Sequence, residues 1–286
     1  MLAMSFTLVE MLNIGLMAVG GVVLLVALAT VTLRRRWRAA TSMVPLRTDR
    51  FDLIHVAVLM LGFLLLMSGL SQLGRAIDPP SGLSQTQWIG TPDRAGLWPI
   101  VANNVAKLVV AVLVCVLAWA LMRGEFRRFG LSGDRIRRDC VWAALTYLVI
   151  WPVCTGLGLL IVWVTSRPPP VHDVLTLLRV GTMPAWGTIA LWVSAVAISP
   201  AAEELFFRGL LQTTIRGYVD RPWLAIAIAS AGFGLMHYRQ PEYVVPLAVL
   251  GAVLGYLYEH TGSLIAPILV HVLFNSCSMI LSALKT

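Results

Sequence analysis

Long apolar segments restrict the fold of this 286-residue chain more than any other feature. There are about eight of them, two of them short, and a helix needs roughly 20 apolar residues to cross a bilayer. They lie near Met11–Leu33, Phe51–Leu73, Leu97–Met122, Cys140–Thr165, Trp186–Ile215, Trp223–Tyr238, Val244–Tyr258 and Leu264–Leu284. The alternating ten-residue strands of a membrane barrel are absent. Because 58% of the residues are hydrophobic and only 13% are charged, we predict an all-α, polytopic transmembrane bundle of about eight helices.

The arginines predict how this bundle is oriented. No basic residue precedes the first segment, whereas Arg34, Arg35, Arg36 and Arg38 follow it, so we expect a retained anchor with its N-terminus outside. Loops 34–50 and 123–138 hold six arginines each, against two each in loops 74–96 and 166–180. The first two loops are therefore predicted to be cytoplasmic, and eight crossings place both termini outside. The net charge of +8 then reflects topology and contact with anionic lipids, and no nucleic-acid partner is expected.

The chain divides into two parts of different character near the prolines at 168–170. Residues 1–180 hold about four predicted transmembrane helices with almost no ionisable residues inside them, which is typical of a scaffold. Lys107 is an exception; it can line a polar cavity, but snorkelling toward the interface or an internal hydrogen bond is favoured. Residues 181–286, with about four more helices, carry most of the intramembrane polar groups and are predicted to be the catalytic core.

Polar side chains recur on three apolar segments of this second part. A charge inside the hydrocarbon region costs a few kcal/mol or more, so such residues usually face a bundle interior or a wet cavity and serve a function. Glu204 and Arg208 are four residues apart and share one helix face, as do His271 and Asn275. Counted from the cytoplasmic segment ends, all these groups reach similar depths. The candidate site residues are Glu203, Glu204, Arg208, His237, His271 and Asn275.

The two adjacent glutamates are predicted to have different roles, because neighbouring residues on a helix point about 100° apart. Glu204 has the spacing to pair with Arg208, which leaves Glu203 free for chemistry; alternatively, both simply neutralise Arg208. Ser199 and Pro200 suggest a helix that restarts inside the membrane, with Ser199 as the N-cap. The residues alone support an ion- or proton-coupled transporter about as well as an enzyme.

Three short motifs favour an enzyme over a transporter. They are EExxxR at Glu203–Arg208, FxxxH at Phe233–His237 and HxxxN at His271–Asn275. In this order they resemble the CPBP family of intramembrane proteases, which includes the CAAX-processing endopeptidases of the Ras-converting type and bacterial Abi-like proteins for bacteriocin processing or immunity. The resemblance covers roughly residues 186–281. A transporter, or a catalytically silent scaffold with the same fold, remains the alternative.

The resemblance implies hydrolysis of a peptide bond in a membrane-associated protein or peptide. In that family reading, Glu203 and His237 activate a water, His271 and Asn275 stabilise the oxyanion, and Glu204 and Arg208 support them. No cofactor is favoured, since the HExxH helix of many zinc proteases is absent. A zinc-dependent version would use Glu203, His237 and His271. The protein is expected to be an integral, multi-pass protein of a bacterial cytoplasmic membrane.

Overall fold

The computed structural model describes residues 51–77, 97–166, 185–219, 221–238 and 240–284, together with some helical positions between 13 and 21. Regular structure in these ranges is entirely helical, which confirms the predicted all-α class. The elements are α1 (Leu53–Ile77), α2 (Leu97–Leu121), the short α3 (Phe126–Phe129), a 3-10 turn (Gly133–Arg135), α4 (Ile136–Thr165), the composite helix α5 described below, α6 (Pro222–Leu235), α7 (Pro241–Thr261) and α8 (Ile265–Ala283).

Six helical stretches in the described part are long and apolar enough to cross a bilayer. They belong to α1, α2, α4, α5, α7 and α8. The predicted segment Met11–Leu33 lies mostly outside the described residues, so the count of eight stays a prediction. The sixth predicted segment corresponds to α6, whose 14 residues span only about 21 Å and fall short of a hydrocarbon core of roughly 30 Å.

Helix α5 is continuous through the site, although its hydrogen-bonding pattern changes along its length. It is α-helical over Ala185–Val193, Ser199–Glu204 and Thr213–Val219, and π-helical over Ser194–Ile198 and Leu205–Gln212. Ser199 has helical backbone angles and does not cap a helix, so the predicted helix restart is wrong. Pro200 lacks a backbone N–H, and the π segment before it accommodates the proline without ending the helix.

Two apolar clusters hold the bundle together. In the first, Phe63 of α1 and Val114 of α2 pack with Phe207 and Leu210 of α5. The second joins α4, α7 and α8. Ile268 of α8 also packs against the first cluster, so apolar contacts connect α8 with α5 as well as with α4 and α7.

Polar contacts spaced by one helical turn join α5 to α7. Arg208 donates from Nη2 to the Gly251 carbonyl at 3.0 Å, and Gln212 donates from Nε2 to the Gly255 carbonyl at 3.1 Å and to Glu259 Oε1 at 3.1 Å. A Cβ on Gly255 would lie 2.5 Å from Gln212 Oε1, so glycine is what permits this close approach. We call these contacts the α5–α7 ladder; it fixes the register of the two helices.

Loop 123–138, which is predicted to be cytoplasmic, contacts the turn between α7 and α8. The Leu264 amide donates to the Gly130 carbonyl at 2.9 Å, Arg138 donates from Nη2 to the Thr261 carbonyl at 2.9 Å, and Ser263 Oγ donates to Asp139 Oδ2 at 2.6 Å. The loop between α2 and α4 therefore meets the turn between α7 and α8. These contacts place the α7–α8 turn at the same end of the bundle as loop 123–138; the side of the membrane assigned to that end from the arginines stays a prediction.

Candidate active site

The two adjacent glutamates of α5 lie in different environments. The side chain of Glu204 is fully buried, whereas that of Glu203 is 12% exposed. Each carboxylate has its own cation: Arg208 for Glu204 and Lys107 for Glu203. Glu203 is thus the carboxylate that faces the more accessible space, and Glu204 is enclosed by protein.

Glu204 joins an arginine and a histidine in one buried group. Its Oε1 accepts from Arg208 Nη1 at 2.6 Å and lies 2.8 Å from His271 Nδ1. A carboxylate can only accept from the ring, so Nδ1 of His271 carries the hydrogen of this bond. Arg208 is further held by the Gly251 carbonyl. The position of the His271 ring on α8 therefore depends on Glu204, which in turn is held by Arg208.

Glu203 uses its two carboxylate oxygens differently. Oε1 accepts from Lys107 Nζ at 2.5 Å and from Ser199 Oγ at 2.8 Å. Lys107 Nζ also donates to Ser199 Oγ at 2.5 Å, which closes a triangle of three polar atoms. Oε2 faces Nε2 of His271 at 3.7 Å, beyond hydrogen-bond length. One oxygen is therefore fully engaged, and the other lies beside an imidazole nitrogen.

His237 lies in the turn that follows α6 and is half-buried. Its Nδ1 is 3.0 Å from the Phe233 carbonyl, which accepts the hydrogen and leaves Nε2 for other partners. The buried ring of Phe233 contacts both histidines, with ring centroids 5.3 Å from His237 and 5.5 Å from His271. The guanidinium carbon of Arg208 lies 4.7 Å from the centre of the same ring. Phe233 thus packs three of the candidate side chains together.

Asn275 is anchored to the first π segment of α5. Its Nδ2 donates to the Ala195 carbonyl at 2.9 Å. The amide has a second N–H, so this bond fixes the group and leaves one donor. The four predicted catalytic residues therefore come from three elements, α5, the turn after α6, and α8. Glu203 Oε2 and His271 Nε2, 3.7 Å apart, join α5 to α8.

Lys107 and Ser199 were not predicted to contact the candidate base. Lys107 does not snorkel outward; it makes the internal hydrogen bonds that the sequence left as an option, and its partner is Glu203. Asn103 and Asn104 in the preceding turn were the available signal for a polar face of α2. Nothing in the helical spacing could indicate a partner 96 residues away in the chain.

The zinc alternative names Glu203, His237 and His271. Within the described ranges, no group of three or more histidine, cysteine or acidic side chains converges to hold a metal ion. Glu204 does lie at Nδ1 of His271, where a metal-binding histidine commonly has a carboxylate partner. However, the Lys107 ammonium already occupies Glu203 Oε1 and would repel a second cation there. The three residues do not fit a zinc site in this arrangement, and we derive no step through a metal.

Comparison with known families places the candidate site in a defined context. Residues 185–277 match the family model described as type II CAAX prenyl endopeptidase Rce1-like, which confirms the resemblance drawn from the three motifs. The matched region contains α5, α6, α7 and most of α8, and so includes all six predicted site residues. Comparisons with curated proteins and with solved structures give no match.

Proposed function

We propose that the protein is an intramembrane endopeptidase that hydrolyses a peptide bond in a membrane-associated protein or peptide. The family match supports a CAAX-type endopeptidase in general. The observation that carries the proposal for this chain is the position of Glu203 Oε2 beside His271 Nε2, on helices that cross the membrane. A carboxylate and an imidazole side by side are suited to proton transfer from a water and to stabilisation of developing negative charge.

In the proposed reaction, Glu203 accepts a proton from a water, with His237 assisting through Nε2. The resulting hydroxide attacks the carbonyl carbon of the scissile peptide bond and forms a tetrahedral oxyanion. That oxyanion accepts hydrogen bonds from the remaining N–H of Asn275 and from Nε2 of His271, which donates there in the doubly protonated form of the ring because Nδ1 donates to Glu204. When the intermediate collapses, the C–N bond breaks and the proton held by Glu203 passes to the leaving nitrogen. Water is thereby divided between a new carboxyl group and a new amine.

The contacts of the supporting residues agree with these roles. Glu204 and Arg208 lie behind His271 and do not face the space beside Glu203 Oε2, so they orient the ring and do not react. The Asn275 amide is held by the Ala195 carbonyl, which limits its motion before the oxyanion forms. Donors that are fixed in advance contribute most to stabilising such a charge.

The substrate class follows from the location of the site and from the matched family. A peptide bond reaches residues of α5 and α8 only in a segment that enters or lies against the bilayer. The matched family is described as a CAAX prenyl endopeptidase, so we choose a farnesylated peptide ending in a CAAX sequence as the first defined probe. A non-prenylated, membrane-inserted peptide is the second.

Peptide analysis of membranes tests the proposal directly. Membranes from cells expressing wild-type protein or Glu203→Gln are compared by mass spectrometry for new N-termini, and the two probes above are incubated with purified protein in lipid nanodiscs. We expect cleavage that depends on Glu203. Glu125→Gln is the matched control, since Glu125 is an exposed residue paired with Arg128 outside the site. Identical peptide profiles for wild type and Glu203→Gln, with both probes intact, would refute the protease and favour the transporter.

A further inference from the structure

We propose that Lys107 and Ser199 are positioning residues that immobilise Oε1 of Glu203, so that Oε2 is the oxygen presented to the water. This inference rests on the proposed function, because it assigns the working atom of the proposed base. It also gives residues 1–180 a direct part in the site, since Lys107 lies on α2.

The triangle formed by Lys107 Nζ, Ser199 Oγ and Glu203 Oε1 carries the argument. Each of the three atoms contacts the other two, at 2.5, 2.5 and 2.8 Å. Lysine donates to both oxygens and serine donates to the carboxylate, so the hydroxyl has a single consistent orientation. A carboxylate held through one oxygen by two donors cannot rotate freely. Its second oxygen is then directed at His271 Nε2, 3.7 Å away.

The charges around Glu203 show why its carboxylate needs a lysine from another helix as its charged partner. Arg208 is already bound to Glu204, and the other titratable groups facing Glu203 are His271 from α8 and His237 from the turn after α6. Without Lys107, therefore, an ionised Glu203 has no permanently charged partner of its own inside the membrane. An unpaired charge in that setting is costly.

The local packing indicates that Lys107 is not required for the helices to associate. Ala102, Ala106 and Val110, on the face of α2 next to Lys107, are buried, whereas the Lys107 side chain is 21% exposed. The apolar contacts between α2 and its neighbours do not involve the ammonium, so we expect the helices to associate without it even though Glu203 loses its cation. A variant such as Lys107→Met keeps the length of the side chain and removes only its charge and its hydrogen bonds.

Steady-state kinetics separate a positioning role from a structural one. The probe is a synthetic peptide spanning the strongest Glu203-dependent cleavage site, or the farnesylated CAAX peptide if that is cleaved. We expect Lys107→Met to lower kcat by about 100-fold with KM changed less than twofold, because misplacing a reacting group by about 1 Å costs that much. Lys107→Arg should recover part of the loss. Ser199→Ala should lower kcat by about tenfold, and adding it to Lys107→Met should change little, since both act on the same oxygen.

Cys115→Ala is the control on the same helix, about two turns further along, where Cys115 lines an apolar groove. Thermal unfolding of all variants is measured in the same nanodiscs. The inference is overturned if Lys107→Met folds and keeps the wild-type kcat. It is also overturned if Lys107→Met loses thermal stability together with kcat and Lys107→Arg recovers neither. If Lys107→Met does not fold, full activity of Ser199→Ala overturns it. If even wild type shows no Glu203-dependent cleavage, the proposed function fails, and the inference fails with it.

Discussion

At the scale of single residues, the site depends on two carboxylates that are neighbours in sequence and yet share no permanently charged partner. Glu203 pairs with Lys107 and Glu204 with Arg208. His271 lies between them, with one ring nitrogen toward each carboxylate. Because each negative charge has its own cation, the imidazole between them remains available to exchange or donate a proton. This separation of charges makes an active carboxylate tolerable inside a membrane.

Replacing Arg208 tests the buried pair. Arg208→Ala leaves Glu204 fully buried without its cation, and breaking such a pair costs about 3–5 kcal/mol. We expect a large loss of thermal stability in nanodiscs together with loss of activity. Arg221→Ala, at an exposed position before α6, is the control and should unfold like wild type. An Arg208→Ala protein with normal stability and activity would show that the pair does not anchor the site.

Replacing Glu204 tests how His271 is held. Glu204→Gln keeps the shape of the side chain but exchanges a charged acceptor at His271 Nδ1 for a neutral amide. We expect kcat to fall by about 10- to 100-fold, because a misplacement of about 1 Å at a reacting group can cost about 100-fold. Affinity for substrate should be unchanged. Glu259→Gln, in the α5–α7 ladder and away from the site, provides the comparison; equal kcat losses in the two variants would contradict a specific role for Glu204.

The residue-scale chemistry was predictable where both partners lie on one helix. The spacing of four residues predicts the contact between Glu204 and Arg208, and the structure contains it. Contacts between helices leave no such signature, so the partnership of Lys107 with Glu203 was missed. Ser199 was misassigned as a helix cap because serine before proline favours that role locally. Packing of α5 in a continuous π-containing helix overrides that local preference.

At the scale of elements, the α5–α7 ladder depends on close approach of the two helices at Gly255. Gly255→Ala would place a methyl carbon 2.5 Å from Gln212 Oε1 and 3.3 Å from Ile226 Cγ2. Overpacking of this kind costs about 1–3 kcal/mol, so we expect a lower thermal unfolding temperature. Gly156→Ala in α4 is the matched control, since no atom lies within 4 Å of the added carbon. It should be neutral or slightly stabilising, and a Gly255→Ala protein as stable as this control would contradict the ladder.

The presence of the membrane-spanning helices was largely predictable from the sequence, but the hydrogen-bonding pattern within α5 was not. Six of the apolar segments correspond to helices long enough to cross a bilayer, as their composition predicts. The two π segments of α5 have no sequence signature apart from Pro200, because a π segment is stabilised by neighbours, such as the Asn275 amide on the Ala195 carbonyl. The division at residue 180 into scaffold and catalytic core stays a prediction, and Lys107 connects the two parts.

At the scale of the whole molecule, orientation can be measured. We expect a cysteine introduced at Ser132 to react with a membrane-impermeant maleimide only after the cells are opened, because loop 123–138 is predicted to be cytoplasmic. A cysteine introduced at Gln240, in the turn between α6 and α7, should be labelled in intact cells or be labelled only slowly. The background is Cys140→Ser, which removes the exposed native thiol. Labelling of Ser132→Cys in intact cells would reverse the assigned orientation.

The short α6 carries a consequence for the surrounding lipid. A helix of about 21 Å is shorter than a hydrocarbon core of roughly 30 Å, so we expect local thinning of the bilayer or a polar indentation where α6 ends. His237 lies in the turn at that end. Hydrophobic mismatch therefore couples membrane thickness to the environment of a candidate catalytic group, and lipids with longer acyl chains should slow the enzyme by burying this turn more deeply in hydrocarbon.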